Sequence, residues 1–179
     1  GETKYYKFLQ SDLTHHGYTY QLGLNIDPKP FNPSGECQPG GFYLTTPKHL
    51  LQYYEYGPYL GIISLPPDTQ IYQEGYKLKV DQLILEKIVT QSDELFEIFQ
   101  DITKKYGSQT ISSYMCQTAA KYGHLEILKW ARENGSQTIS SYMCQTAAKY
   151  GHLEILKWAR ENGSQTISSY MCQTAAKYG

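Results

Sequence analysis

GSQTISSYMCQTAAKYGHLEILKWAREN, residues 107–134, returns unchanged at 135–162 and restarts at Gly163 before the sequence stops at Gly179. The period is 28 residues. A repeat of ~20–50 residues marks stacked supersecondary units, none of which can bury its apolar face alone. Inside one unit Ser112 and Ser113 are N-cap candidates for a short helix over 114–121, which Gly123 ends. A second helix begins near His124 or Leu125 and carries Leu125, Ile127, Leu128, Trp130 and Ala131 on one broad apolar stripe. Asn134 and Gly135 read as a left-handed C-cap pair, followed by a polar connector. Ala119 and Ala120 are small enough for close packing between units, and Trp130 supplies the bulk of the seam.

The segment AAKYGHLEILKWARENG, at 119–135 and again at 147–163, resembles the ankyrin repeat, whose middle reads AA-x-x-GH-L-E-[IV]-[LV] and whose second helix ends in NG. The resemblance covers 107–179, with full units at 107–134 and 135–162 and a partial one at 163–179. The unit is shorter than the ~33 residues usual for ankyrin, and Tyr114-Met115-Cys116-Gln117 replaces the Thr-Pro-Leu-His opening. An abbreviated connecting hairpin follows from both departures. Short repeats of this pattern are similar to those in ankyrin proteins of giant amoeba-infecting DNA viruses. The resemblance implies an all-α ankyrin-like helical solenoid that presents a concave surface to a protein partner, a host protein among the candidates, in the host cytoplasm or the virion. Carried over position by position, the ligand-facing residues are Ser113, Lys121 and Tyr122, then Ser141, Lys149 and Tyr150, then Ser169, Lys177 and Tyr178. Tyrosine suits that role because it buries a large area at small entropic cost.

The partial unit ends after a first helix, leaving Met171, Cys172, Ala175 and Ala176 without a covering helix. A solenoid normally finishes in a polar cap. This end therefore reads as a piece of a longer array or as a surface for self-association, in which repeats stack across molecules into a structural assembly.

Composition narrows the classes. The 179 residues are 40% hydrophobic and 18% charged, which excludes a disordered chain, and the net charge of −1 argues against nucleic acid as the main ligand. No apolar run approaches the ~20 residues of a membrane-spanning helix, and no export signal opens the sequence, so a cytoplasmic setting is expected. Cys116, Cys144 and Cys172 recur once per unit, as do His124 and His152. That spacing does not fit metal-ligand motifs, and buried, reduced thiols in the helix seam are the expected reading. A zinc site from His15, His16, Cys37 and His49 matches no known spacing, and adjacent histidines on a strand would face opposite ways. Phosphate-loop, dinucleotide and serine-nucleophile motifs are absent, so no cofactor, metal or catalytic residue is expected. Lys121, Lys129 and Arg132 interleave with Glu126 and Glu133, as on a solvated face.

Residues 1–90 have no 28-residue echo and read as a small α+β module, joined to the repeats by a capping helix or linker at 91–106. Charge separates the halves: each full unit has three basic and two acidic side chains, and Lys177 brings 107–179 to +3, leaving 1–106 at −4. Tyr18, Tyr20, Leu22 and Leu24 alternate as in a half-buried strand, 59–65 reads as a more buried one and 83–85 as a last short strand. Thr46 and Pro47 open a helix that Gly57 and Pro58 terminate. Ser92, Asp93 and Glu94 start another that runs to about Lys105, with Leu95, Phe96, Ile98, Phe99 and Ile102 placed to cover the first repeat.

HHGYTYQLGLNIDPKPFNPSGECQPGGFYLTT, 15–46, resembles a module that precedes ankyrin arrays in the same viral proteins. A second resemblance is to the ADP-ribosyltransferase fold, through His16-Gly17, Gly40-Gly41-Phe42-Tyr43-Leu44, the helix at 47–56 and the strand at 59–65, with Asp81 nearest to the place of its glutamate. The expectation for the whole chain is a non-enzymatic interaction protein. The alternatives are an ADP-ribosyltransferase-like, NAD-binding N-terminal domain, or a structural subunit assembled by repeat stacking.

Overall fold

The computed structural model describes residues 3–112, 114–135, 139–162 and 177. The chain divides into two compact units, residues 1–102 and 103–179. The first is strand-rich and the second helical, as the sequence leads one to expect.

In the first unit, β1 (Tyr5–Leu9), β4 (Gly23–Ile26), β5 (Phe42–Thr45), β6 (Tyr59–Ser64), β7 (Ile71–Glu74), β8 (Lys77–Val80) and β9 (Gln82–Val89) form one sheet in the order β4-β9-β6-β1-β5-β8-β7. Every pairing is antiparallel. A small ribbon of β2 (Thr14–His15) and β3 (Tyr18–Thr19) stands beside it. Alternation along β1 sends neighbouring side chains to opposite faces. Leu9 joins Tyr20, Phe42, Leu44, Ile63, Val80, Leu83 and Leu85 in one apolar cluster. Phe8 instead meets Tyr54 and Phe99 at ring distances of 5.7 and 6.1 Å. Phe99 lies on α1 (Ser92–Tyr106), whose buried Leu95, Phe99 and Ile102 recur at helical spacing. Its first turn holds Asp93 and Glu94 and its last turn Lys104 and Lys105, both complementary to the helix dipole.

Several local expectations need correction. The 18–24 stretch is not one strand: Tyr20 is buried, but Leu22 is 63% exposed and Leu24 is exposed as well. Gly23, at φ 89°, turns the chain there, and Asn25 takes the inward position of β4, bonding the carbonyls of Gln21 and Gly23 and the amide of Gln21. The 46–56 helix is present as a 3-10 helix over Pro47–Tyr56, and the Thr46 hydroxyl pairs with the His49 ring rather than with a backbone amide. The strand expected at 83–85 lies in the first half of the eight-residue β9. β1 and the β7–β8 hairpin were not read from the sequence. The hairpin had a signal, Gly75 at φ 60° opening the two-residue Gly75-Tyr76 loop between alternating segments.

The second unit contains α2 (Met115–Tyr122), α3 (Leu125–Gly135), α4 (Ser141–Lys149) and α5 (Leu153–Glu161). α2 packs against both α3 and α4, and α4 against α5. Its buried seam consists of Met115, Cys116, Ala119, Ala120, Ile127, Leu128 and Ala131, repeated as Met143, Cys144, Ala147, Ala148, Ile155, Leu156 and Ala159. Cys116 and Cys144 are buried and not disulfide-bonded, as expected, while Cys172 lies outside the described residues. Trp130 and Trp158 are only half-buried, so the bulk of the seam comes from aliphatic residues instead. Asn134 does not form a left-handed cap: α3 runs through Gly135, and the Asn134 amide donates back to the Trp130 carbonyl at 2.8 Å. The identical segments also start differently, with the Ser140 hydroxyl accepting from the Met143 amide at 3.1 Å whereas α2 begins after Tyr114 without a side-chain cap.

Candidate functional site: the repeat turn face

The turn between the two helices of a unit is built by Gly123, which adopts φ 76° as C-cap of α2. The His124 amide then bonds the Ala119 carbonyl at 2.9 Å, and the same closure recurs from His152 to Ala147 at 2.9 Å. Gly123 is required for a second reason. A β-carbon there would stand 2.6 Å from the His152 ring, so the next unit's histidine occupies the space that a side chain would take. From that position His152 Nε2 lies 2.8 Å from the Lys121 carbonyl, one of the orphan acceptors at the end of α2. One histidine thus fixes the register of one turn against the next.

That register lines up four of the sequence-predicted residues. The Lys121 ammonium lies 5.5 Å from the Tyr122 ring and 5.8 Å from the Tyr150 ring, and the Lys149 ammonium 5.5 Å from Tyr150. Each distance permits cation–π attraction. Tyr150 is 42% exposed and Lys149 is exposed, whereas Lys121 and Tyr122 are half-buried. His124, in contrast, is a buried group whose pKa is pushed down to about 4 by burial and then by the charge of His152. A second ladder runs along the other helices, where the Arg132 guanidinium lies 5.6 Å from the Trp158 ring.

Ser141 is exposed but begins α4, while Lys149 ends it, so these two are about 12 Å apart along the helix axis. Lys177 is exposed. Ser113, Ser169 and Tyr178, like the apolar positions 171, 172, 175 and 176, lie outside the described residues. Tyr114 and Tyr142, 65% and 60% exposed, were missed by the sequence reading. Their signal was present, since an aromatic residue directly before the apolar Met-Cys pair points away from the buried stripe.

In the first unit, His16, Gly40, Gly41, Phe42 and Tyr43 line one cleft. Asp81 is engaged elsewhere, accepting from the Gln70 amide at 2.9 Å and its side chain at 3.1 Å. The His15 and His16 rings lie 4.0 Å apart rather than on opposite faces, because His16 at φ 49° belongs to the turn. His49 is stacked on Tyr76. Among the described residues there is no cluster of three potential metal ligands, and no helix is long and apolar enough to cross a membrane.

Paired helices, a left-handed glycine turn and a histidine bridging successive turns define a repeat protein of the ankyrin type. Residues 116–160 match the family of ankyrin repeats in many copies. The chain belongs to the ankyrin repeat proteins: it is 32% identical over 137 residues to ankyrin repeat protein R868 of Acanthamoeba polyphaga mimivirus, covering 73% of this chain and 67% of that one. It is also 31% identical to ankyrin repeat protein R896 of the same virus, over 72% of this chain and 40% of R896. A third relative, ankyrin repeat protein R229, is 43% identical over 54 residues, covering 30% of this chain and 18% of R229. No solved structure matches the chain.

Proposed function

We propose that the chain is a non-enzymatic interaction protein whose repeats continue as a solenoid and hold a protein partner on the turn face. The observation that carries this reading is the His152–Lys121 bond, which sets the Lys121, Tyr122, Lys149 and Tyr150 side chains in register across two units. A rigid array of lysines on tyrosine faces demands no chemistry of its own and suits an acidic partner surface with apolar patches. Ser113, Ser141, Ser169, Lys177 and Tyr178 are proposed as further partner contacts on the strength of the family resemblance alone. The partner is a protein of the host cytoplasm or of the virion.

The test is quantitative capture from amoeba lysate by the wild-type chain and by Tyr122→Ala/Tyr150→Ala, with helicity and melting measured in parallel. Loss of a specific captured protein with melting nearly unchanged is the expected result. Undiminished capture moves binding off this face, and a large fall in melting temperature makes the tyrosines part of the fold's support.

A further inference from the structure

The first unit contains a positively charged cleft that the repeat reading does not use. β1 and β5 register through a single pair, Tyr6 with Thr45, whereas β1 and β6 pair over five residues. Where β1 and β5 part, the Tyr43 carbonyl accepts from the ammonium of Lys7 at 2.9 Å in place of a ladder amide. Lys7 is only 7% exposed, and its nitrogen lies 5.5 Å from the Tyr20 ring. Lys77 reaches the same place from β8, 4.4 Å from the Tyr43 ring and 3.1 Å from the Cys37 sulfur. Among the described residues no carboxylate stands within ion-pair distance of either lysine.

A buried ammonium without a carboxylate is costly unless an anion reaches it. The acids nearest to this place are held by backbone amides. Asp27 accepts from Lys29 and Gly41 at 2.8 and 2.7 Å, and Glu74 accepts from Glu36 at 2.8 Å. Two adjoining hollows, the larger about 490 Å³, share Lys7, His15, His16, Cys37 and Tyr43 in their walls. That volume exceeds what a bare inorganic ion fills and falls in the range of small-molecule sites. Tyr18, Tyr20 and Phe42, whose ring centroids lie 4.8–5.2 Å apart, add an aromatic wall.

We infer that this cleft binds a small aryl phosphate, its anionic group on Lys7 beside Lys77 and its flat ring against the tyrosine and phenylalanine wall. The charge state supports it. Burial, then the Lys77 charge, push the Lys7 pKa down to about 8, so the ammonium persists at neutrality. His15, pushed down to about 4 by burial and by the charges of Lys7 and His16, is neutral there and adds only a hydrogen bond.

The test is calorimetry and thermal shift on the full chain with phenyl phosphate, with phenol and inorganic phosphate as controls. Phenyl phosphate is expected to bind and stabilise, more strongly than inorganic phosphate, and phenol to do neither. Lys7→Met should weaken phenyl phosphate by about tenfold or more while the ligand-free melting temperature holds or rises, since a buried unpaired charge has been removed. Binding should also fade as pH rises through the Lys7 value of about 8, with Lys77 on β8, His15 on β2, His16 in the turn, Tyr43 on β5, and Asp27 and Cys37 in their loops facing it. A lysine that merely braces the Tyr43 carbonyl would give a lower melting temperature in Lys7→Met and no phenyl phosphate binding in the wild type. Should Lys7→Met not fold, Lys77→Met carries the same test, and unchanged affinity there overturns the assignment. Competition by phosphatidic acid vesicles, with saturation by phenyl phosphate lost, would give the site to a lipid headgroup and overturn the small-molecule reading.

Discussion

At the scale of single residues, Gly123 and His124 carry the clearest consequences. Gly123→Ala combines a left-handed backbone with a β-carbon 2.6 Å from the His152 ring, so the variant should lose about 2–3 kcal/mol of stability. Denaturant midpoints measure it, and a loss below about 1 kcal/mol would mean that His152 moves aside freely. His124 sets a pH dependence whose sign follows from its lowered value of about 4. The unfolded ring titrates near ~6.5, so between the two values the unfolded chain binds more protons than the folded one. The contribution is complete above the unfolded value and is lost as pH falls from there toward 4, by about 3 kcal/mol in all. Urea midpoints across this window should fall in the wild type and much less in His124→Gln, and equal slopes would remove the residue from the account. The glycine turn was legible from its place after the first helix. The bond from His152 to Lys121 was not, because it joins residues 31 positions apart.

Elements show how packing revises propensity. The sequence makes Trp130 the anchor of the seam, yet it is half-buried, whereas Leu128 is fully buried. Leu128→Ala should therefore cost about 2–5 kcal/mol and Trp130→Ala clearly less. Chemical denaturation of the two variants decides, and a larger loss at Trp130 would make the tryptophan the anchor of the seam. Ser140→Ala should cost about 1 kcal/mol through the lost cap of α4, while Ser112→Ala costs little, since α2 uses the Ser112 carbonyl rather than its hydroxyl. Identical sequence thus gives unequal caps. Neighbouring structure selects among the local bonds that one segment can make.

For the whole molecule, charge and repetition act together. The 107–179 region carries +3 against −4 for 1–106, and Lys121 and Lys149 place positive charge on the proposed binding face. Partner capture is expected to weaken as ionic strength rises well past the physiological range, through slower association; capture indifferent to salt would point to an apolar interface instead. The 28-residue unit, its two helices, its glycine turn and its ankyrin membership are all legible in the sequence, because those signals recur within a few residues and repetition amplifies them. The sequence also separates a strand-bearing first region from the repeats. The strand order, the outward turn of Leu22 and Leu24, the aliphatic seam and the burial of Lys7 where β1 leaves β5 emerge only in the folded chain. The physical reason is range: hydrogen bonds within a helix or turn link near neighbours, whereas sheet register and buried charge depend on side chains tens of residues away, brought together by burial of the whole core.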